Sequence, residues 1–189
     1  MPSGIQQILV AIDTVMVDAA KRSGKWLICR RGCTPCCHGV FAIGAADVKR
    51  LRAGLAALQK TDPQRAGQVR ERSRTFVDGT ARAYPGNRAT GILDTGETAE
   101  IRFAGFANDD PCPALDPDSG ACELYAARPI TCRVFGPAIR REDDSISACE
   151  LCYDGASDEE MDACAVELPE GVEDAAEGPQ TIVAYALAL

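Results

Sequence analysis

Residues 27–41 read LICRRGCTPCCHGVF, with four cysteines in nine positions and two of them, Cys36 and Cys37, adjacent. No helical or strand period runs through residues 29–39, so neither regular element is expected there. Gly32, Pro35 and Gly39 instead predict tight turns. Tight turns let neighbouring side chains converge, and clustered thiols that converge suit a metal. Adjacent side chains usually diverge, so three arrangements are open for Cys36 and Cys37: one ligates while the other is buried, the pair serves two neighbouring centres, or a cluster offers them separate metal atoms.

Six further cysteines follow: Cys112, Cys122 and Cys132 at spacings of ten, then Cys149 and Cys152 as a C-x-x-C, then Cys164 alone. The chain opens without a basic start to its apolar stretch, and acids interrupt that stretch, so no signal peptide is read and a cytoplasmic location is expected. In a reducing compartment ten cysteines point to metal rather than to a disulfide framework. A thiolate is a soft anionic ligand suited to zinc, Cu(I) and iron–sulfur clusters. Ligands drawn from loops as far apart as Cys37 and Cys112 do not resemble local zinc knuckles, so an iron–sulfur cluster is the first expectation and zinc the alternative. The spacing C-x3-C-x2-C also raises a radical enzyme of the S-adenosylmethionine type. Pro35 before Cys36 and the lack of alternating strands and helices argue against it.

Apolar residues make up 46% of 189 and aromatics 5%, so the core must be aliphatic. Ile5, Ile8, Leu9, Ile12, Val15, Met16 and Ala19 predict a packed helix over 5–22, ended by Gly24. A second helix is expected over 45–60 on Val48, Leu51, Leu55 and Leu58, and a third over 64–82 anchored by Val69, Phe76 and Val77. Residues 85–100 are mostly turn formers, and IRFAGF, 101–106, alternates as a short strand or loop would. Ser157 and Glu160 form a capping box at the start of another helix. The expected fold is a small, mainly α single domain, with helices and irregular loops around a cysteine-bound metal centre. Residues 1–166 would form it. Residues 167–180 would be an acidic, loosely packed connector, and TIVAYALAL, 181–189, would pack back on the same domain.

Net charge is −8, but all 20 basic side chains and 14 of the 28 acids lie in residues 1–141. The other 14 acids follow, with no Lys or Arg. This acidic end is read first as a solvated face, with a surface for a protein partner or a cover for the basic body as the alternatives. No apolar run is long enough to span a bilayer. The basic residues form no stripe with aromatics, which disfavours nucleic acid. The sequence leaves the oligomeric state open.

CRRGCTPCC, then CPALDPDSGACELYAARPITCRVF, then the later C-x-x-C resemble the YkgJ-type cysteine-cluster family, described as zinc- or iron-chelating and related to a domain of flagellin lysine N-methylases. Cys29, Cys33, Cys36 and Cys37 match its first element, with one extra residue after Cys29. Cys112, Pro113 and Leu115 match the second. Gly120, Cys122, Leu124, Tyr125, Arg128 and Pro129 match the third, and Cys132, Arg133 and Phe135 the fourth. The resemblance implies a metal centre more strongly than a reaction. The expected ligands are Cys29, Cys33, Cys36, Cys37, Cys112, Cys122, Cys132, Cys149 and Cys152, while Cys164 stays outside. Arg128 and Arg133 would face the bound centre or pair with nearby acids, and Tyr125 would be core with its hydroxyl near the site. Pro129 can start a helix that presents Cys132. His38, the one histidine, is a weaker candidate than the thiols. Catalytic residues are not identifiable: there is no nucleotide fingerprint and no histidine-based triad. Two roles remain, a redox, assembly or partner-binding metalloprotein, and a metal-dependent enzyme of group transfer or redox type.

Overall fold

A computed structural model describes residues 4–30, 32–172 and 178–189. The helices are α1 Gly4–Ser23, α2 Ala45–Thr61, α3 Pro63–Thr80, α4 Glu97–Ala104, α5 Ile130–Val134, α6 Asp158–Cys164 and α7 Val183–Ala188. The strands are two residues each: β1 Gly86–Asn87, β2 Ile92–Leu93, β3 Ile139–Arg140, β4 Ile146–Ser147 and β5 Val166–Glu167. The chain is therefore mainly α, with the cysteine-rich stretches in turns. It divides into two compact units: Met1–Arg30 with Ile130–Ala175, and Arg31–Pro129 with Ala176–Leu189.

The first unit is built on α1. Leu9 and Ile12 lie on its apolar stripe and bury against Ile130, with Val134 packed alongside. One and two turns further on, Met16 and Ala19 meet Ile139 and Val166. These two residues belong to a three-stranded sheet of order β4-β3-β5, with β3 antiparallel to β4 and parallel to β5. At the end of α1, the Ser23 hydroxyl donates to the Ala19 carbonyl at 2.7 Å. The Tyr153 hydroxyl accepts from the Ala138 amide at 2.9 Å and lies 2.6 Å from Ser23 Oγ. With the Ser23 proton already spent on Ala19, Tyr153 donates to Ser23, and both buried hydroxyls are satisfied. The capping box closes as expected: Glu160 donates its amide to Ser157 Oγ and its carboxylate accepts from the Ser157 amide.

In the second unit α2 and α3 meet at one residue. Asp62 donates its amide to the Leu58 carbonyl and accepts the Arg65 amide on its carboxylate, and Pro63 occupies the position that needs no amide partner. Leu51, Leu55, Ala66 and Val69 bury together with Ala186 and Leu187 of α7. The residues before α7 are held by a reciprocal bridge, Ile43 to Thr181 at 2.8 and 3.0 Å, and by the Leu93 amide on the Gln180 carbonyl at 2.9 Å. A second cluster joins Tyr84, Phe106, Ile182 and Tyr185, with Phe103 packed against it.

IRFAGF is not a strand. Residues 97–104 form α4, opened by Gly96 with Glu97 and Glu100 in its first turn, where the helix dipole favours acids. Phe103 and Phe106, three apart, turn to the Tyr84 cluster, while Ile101 is 69% exposed. The acidic stretch is also less loose than its composition suggests. Leu168 packs against Ala19, Ile139 and Val166, and Val172 joins the Leu9 cluster. Residues 173–177 of the expected connector lie outside the described residues.

Candidate metal centre

The second unit gathers five cysteines. Residues 35–37 make a single 3-10 turn, closed by the Cys37 amide on the Thr34 carbonyl at 2.7 Å. The Cys37 carbonyl then accepts the Cys112 amide at 2.7 Å, and Gly39 donates to Asp110 at 2.9 Å. These two bonds fasten the Cys-Cys turn to the strand-like run at 110–112. From Cys112 the chain reverses, with the Glu123 amide on the Ala114 carbonyl at 2.8 Å and Leu115 bridged to Cys122. The reversal depends on Gly120, at φ 65°, where a Cβ would sit 3.1 Å from Thr34 Cγ2. Any larger residue there is strained and presses on the loop that carries Cys33.

The Cys36 and Cys37 side chains are close enough to interact, so the adjacent thiols face one another rather than diverge as expected. Tight turning over residues 34–37 is the reason. Interaction with the Cys37 side chain, burial and the neighbouring Cys37 charge push the Cys36 thiol far above its ordinary range, against the pull of Arg128. Burial likewise raises Cys122, opposed by the Leu124 amide and Arg128. Arg128 therefore favours the thiolate forms of both. Its guanidinium carbon lies 4.0 Å over the Tyr125 ring, and its carbonyl accepts from Arg50 at 2.6 Å. Tyr125 is 63% exposed and is not core. It opens the 3-10 turn Tyr125–Ala127 and lies under the Arg128 guanidinium as a platform.

Glu123 escaped the sequence reading. Its side chain is only 2% exposed and pairs with Arg72 and, at 3.2 Å, with Arg65, both on α3. Arg72 also donates to the Pro113 carbonyl at 2.9 Å. The hairpin that carries Cys112 and Cys122 is thus anchored to α3 by charge. An acid directly after a candidate ligand was the only signal available in sequence. His38 is exposed, and its Nδ1 lies 3.1 Å from the Thr34 carbonyl. A carbonyl can only accept, so Nδ1 carries the proton and Nε2 keeps its lone pair when the ring is neutral.

The first unit holds Cys29, Cys132, Cys149, Cys152 and Cys164. Cys149 donates its amide to the Gly136 carbonyl at 3.1 Å, and Cys152 closes a turn on Cys149 at 2.8 Å. Gly136, at φ 125°, faces Cys29: a Cβ there would lie 3.5 Å from the Cys29 sulfur. Burial pushes the Cys152 thiol up, the Ile28 and Cys29 amides beside its sulfur oppose this, and Cys149 adds to the rise. Cys29, Cys149 and Cys152 therefore surround one turn, although 119 residues separate the first two. Cys132 is half-buried on α5. Arg133 pairs with Asp13 of α1 at 2.8 Å. Cys164 is buried and donates to the Arg22 carbonyl at 3.4 Å.

All ten cysteines are thiols. Among the described residues no three His, Cys, Asp or Glu side chains stand at the separations of a closed metal site. The expected cysteine-bound centre is therefore not preformed, although the donor set has the chemistry of a thiophilic ion. The profile of the family described as "CxxCxxCC: Putative zinc- or iron-chelating domain" matches residues 28–153. The chain belongs to this family. The CxxCxxCC match takes in every expected ligand from Cys29 to Cys152 and ends before Cys164. No curated protein and no solved structure matches the chain. No helix among the described residues is long and apolar enough to cross a membrane.

Proposed function

We propose that this protein chelates zinc or iron through its clustered thiols, with the ligands of one centre drawn from Cys33, Cys36, Cys37, Cys112 and Cys122. The observation that carries the reading is the backbone bond between Cys112 and Cys37, which brings two distant cysteine motifs onto one turn. The closeness of the Cys36 and Cys37 side chains bears on the choice of metal. In a tetrahedral site with Zn–S near 2.3 Å, two sulfurs stand about 3.8 Å apart. That separation is close to a thiol–thiol contact, so a single zinc or iron ion suits the pair. An iron–sulfur cluster, which would spread the two thiolates over separate irons, becomes the alternative. Arg128 lowers the cost of thiolate charge at Cys36 and Cys122. Each ligating thiol releases its proton on binding. The role that follows is structural, redox, assembly or partner-binding, with the acidic C-terminal region as the candidate partner surface.

A metal-dependent enzyme is the second reading. One observation favours it: a cavity of about 500 Å³ lined by Arg72, Phe76, Asp110, Cys112, Pro113 and Leu115. That volume is of small-molecule size, and its wall includes a proposed ligand. Anaerobic purification with elemental analysis, acid-labile sulfide and visible absorption tests the proposal. Zinc, or iron without sulfide, at Cys36 and Cys37 is the expected result. Sulfide in proportion to iron would move the reading to a cluster. Failure to hold either metal after reduction and reconstitution would overturn chelation.

A further inference from the structure

We propose that Cys29, Cys149 and Cys152 form a second metal site, built within the first unit and loaded independently of the thiols around Cys36. The inference rests on the chelating reading above and changes its stoichiometry and its ligand sets. By sequence, Cys29 belongs to the same run as Cys33, Cys36 and Cys37. By fold, it belongs with the C-x-x-C at residues 149–152.

Three features make the assignment. The carbonyl of Gly136 anchors the Cys149 amide, and the open side of the same glycine faces Cys29, with 3.4 Å from a notional Cβ to the Cys29 Cβ. A side chain at residue 136 would take up that space, so glycine keeps the approach to Cys29 clear. The Cys152 amide closes a turn on the Cys149 carbonyl at 2.8 Å, which sets the two side chains on one loop, as two ligands of one ion must lie. Finally, the Ile28 and Cys29 amides point at the Cys152 sulfur. Amide donors of this kind hold thiolate charge in sulfur-ligated sites.

The turn is rigid. Tyr153, next to Cys152, donates its amide to the Trp26 carbonyl at 3.0 Å, and its hydroxyl is locked between Ser23 and Ala138. Residues 26–29 and 149–153 are therefore held side by side by the chain's own bonds. Rotation of the Cys29 side chain about its Cα–Cβ bond is what remains to bring the third sulfur in. The ligand class is a thiophilic divalent ion, zinc or ferrous iron, and binding releases one proton for each thiol that ligates.

The test uses the full chain, reduced and stripped of metal, titrated anaerobically with Co²⁺ and then Zn²⁺. Thiolate-to-cobalt absorption, bound metal and released protons are read together. Wild type should bind two equivalents. Cys149→Ser/Cys152→Ser should keep one, and Cys36→Ser/Cys122→Ser should keep the other, each with about half the charge-transfer absorption. Cys29 is exposed, so Cys29→Ser tests the site without disturbing the core. It should weaken one equivalent by more than the roughly 10–100-fold that loss of an outer partner costs, and leave the second unchanged. A wild type that binds only one equivalent, lost in both double variants alike, would overturn the two-site inference while leaving chelation intact. So would a Cys29→Ser effect confined to the equivalent that Cys36→Ser/Cys122→Ser removes. A wild type that binds no metal would overturn chelation itself.

Discussion

Gly54, in the middle of α2, offers a substitution whose sign depends on tertiary contact. Alanine is the better helix former by about 1 kcal/mol, so propensity alone predicts that Gly54→Ala stabilises the protein. The new Cβ, however, would lie 2.5 Å from the Ala127 Cβ and 3.9 Å from Leu124 Cδ2. Carbon atoms rest about 3.5–4.0 Å apart. Ala127 has no longer side chain to swing aside, so the turn at 125–127 must move as a whole. Overpacking of this kind costs about 1–3 kcal/mol, and the net expectation is a loss of up to about 2 kcal/mol. Ala127→Gly removes the obstructing methyl, so the double variant should regain most of the loss. Urea denaturation of wild type, both single variants and the double variant gives the coupling directly. A coupling of about 1 kcal/mol or more is expected. The reasoning is refuted if Gly54→Ala is stabilising, or if the two substitutions simply add. The same turn leads into Arg128, so the destabilised variant should also bind metal more weakly at Cys36 and Cys122.

Four further outcomes are expected. Glu123→Gln removes the buried charge that faces Arg65 and Arg72 and should lower urea stability by about 1–3 kcal/mol, the partial exposure of both arginines keeping the loss below that of a fully buried pair; an unchanged midpoint would show that the pair is idle. Removal of residues 181–189 takes away Ile182, Tyr185 and Leu187, each buried and worth about 1.5–3 kcal/mol, so amide protection across α2 and α3 should collapse, and retained protection would contradict the packing. In alkaline titration at the tyrosine absorption band, Tyr84 should ionise near 12 because burial raises it from 10.0. Its contribution to stability should stay whole below about pH 10 and fall between pH 10 and 12, and a native-state midpoint at 10 for every tyrosine would refute this. Cys164→Ser should keep the full metal content, since its thiol is spent on the Arg22 carbonyl; loss of one equivalent would make it a ligand.

The long helices were readable because large aliphatic residues carry their period. Leu9 and Ile12 in α1, and Leu51 and Leu55 in α2, fall where the pattern requires and are buried. The capping box of α6 is a local hydrogen-bond exchange and needs no tertiary knowledge. IRFAGF misleads because alternation over six residues is also what two phenylalanines three apart produce, and only the Tyr84 cluster decides between them. Thiol content was equally plain, but the grouping of thiols was not. Cys29 and Cys149 both lie against Gly136, one beside its Cα and the other on its carbonyl, and spacing carries no record of that. The Cys36–Cys37 contact follows from one 3-10 turn, whose geometry a rule about adjacent residues does not contain.

The order in which the chain is made bears on how its parts close. The second unit starts at residue 31, yet its core is completed by α7, whose residues follow both segments of the first unit. During synthesis the faces of α2 and α3 that receive Ile182, Tyr185 and Leu187 wait, uncovered, while more than 50 intervening residues emerge. The first unit waits as well, since α1 has no Ile130 to meet until residues 31–129 are made. Both units thus depend on contacts of long sequence separation, which slow folding and leave apolar surface exposed in the nascent chain. Metal bound at Cys36, Cys37, Cys112 and Cys122, all made before residue 130, would clasp the second unit's loops during that interval.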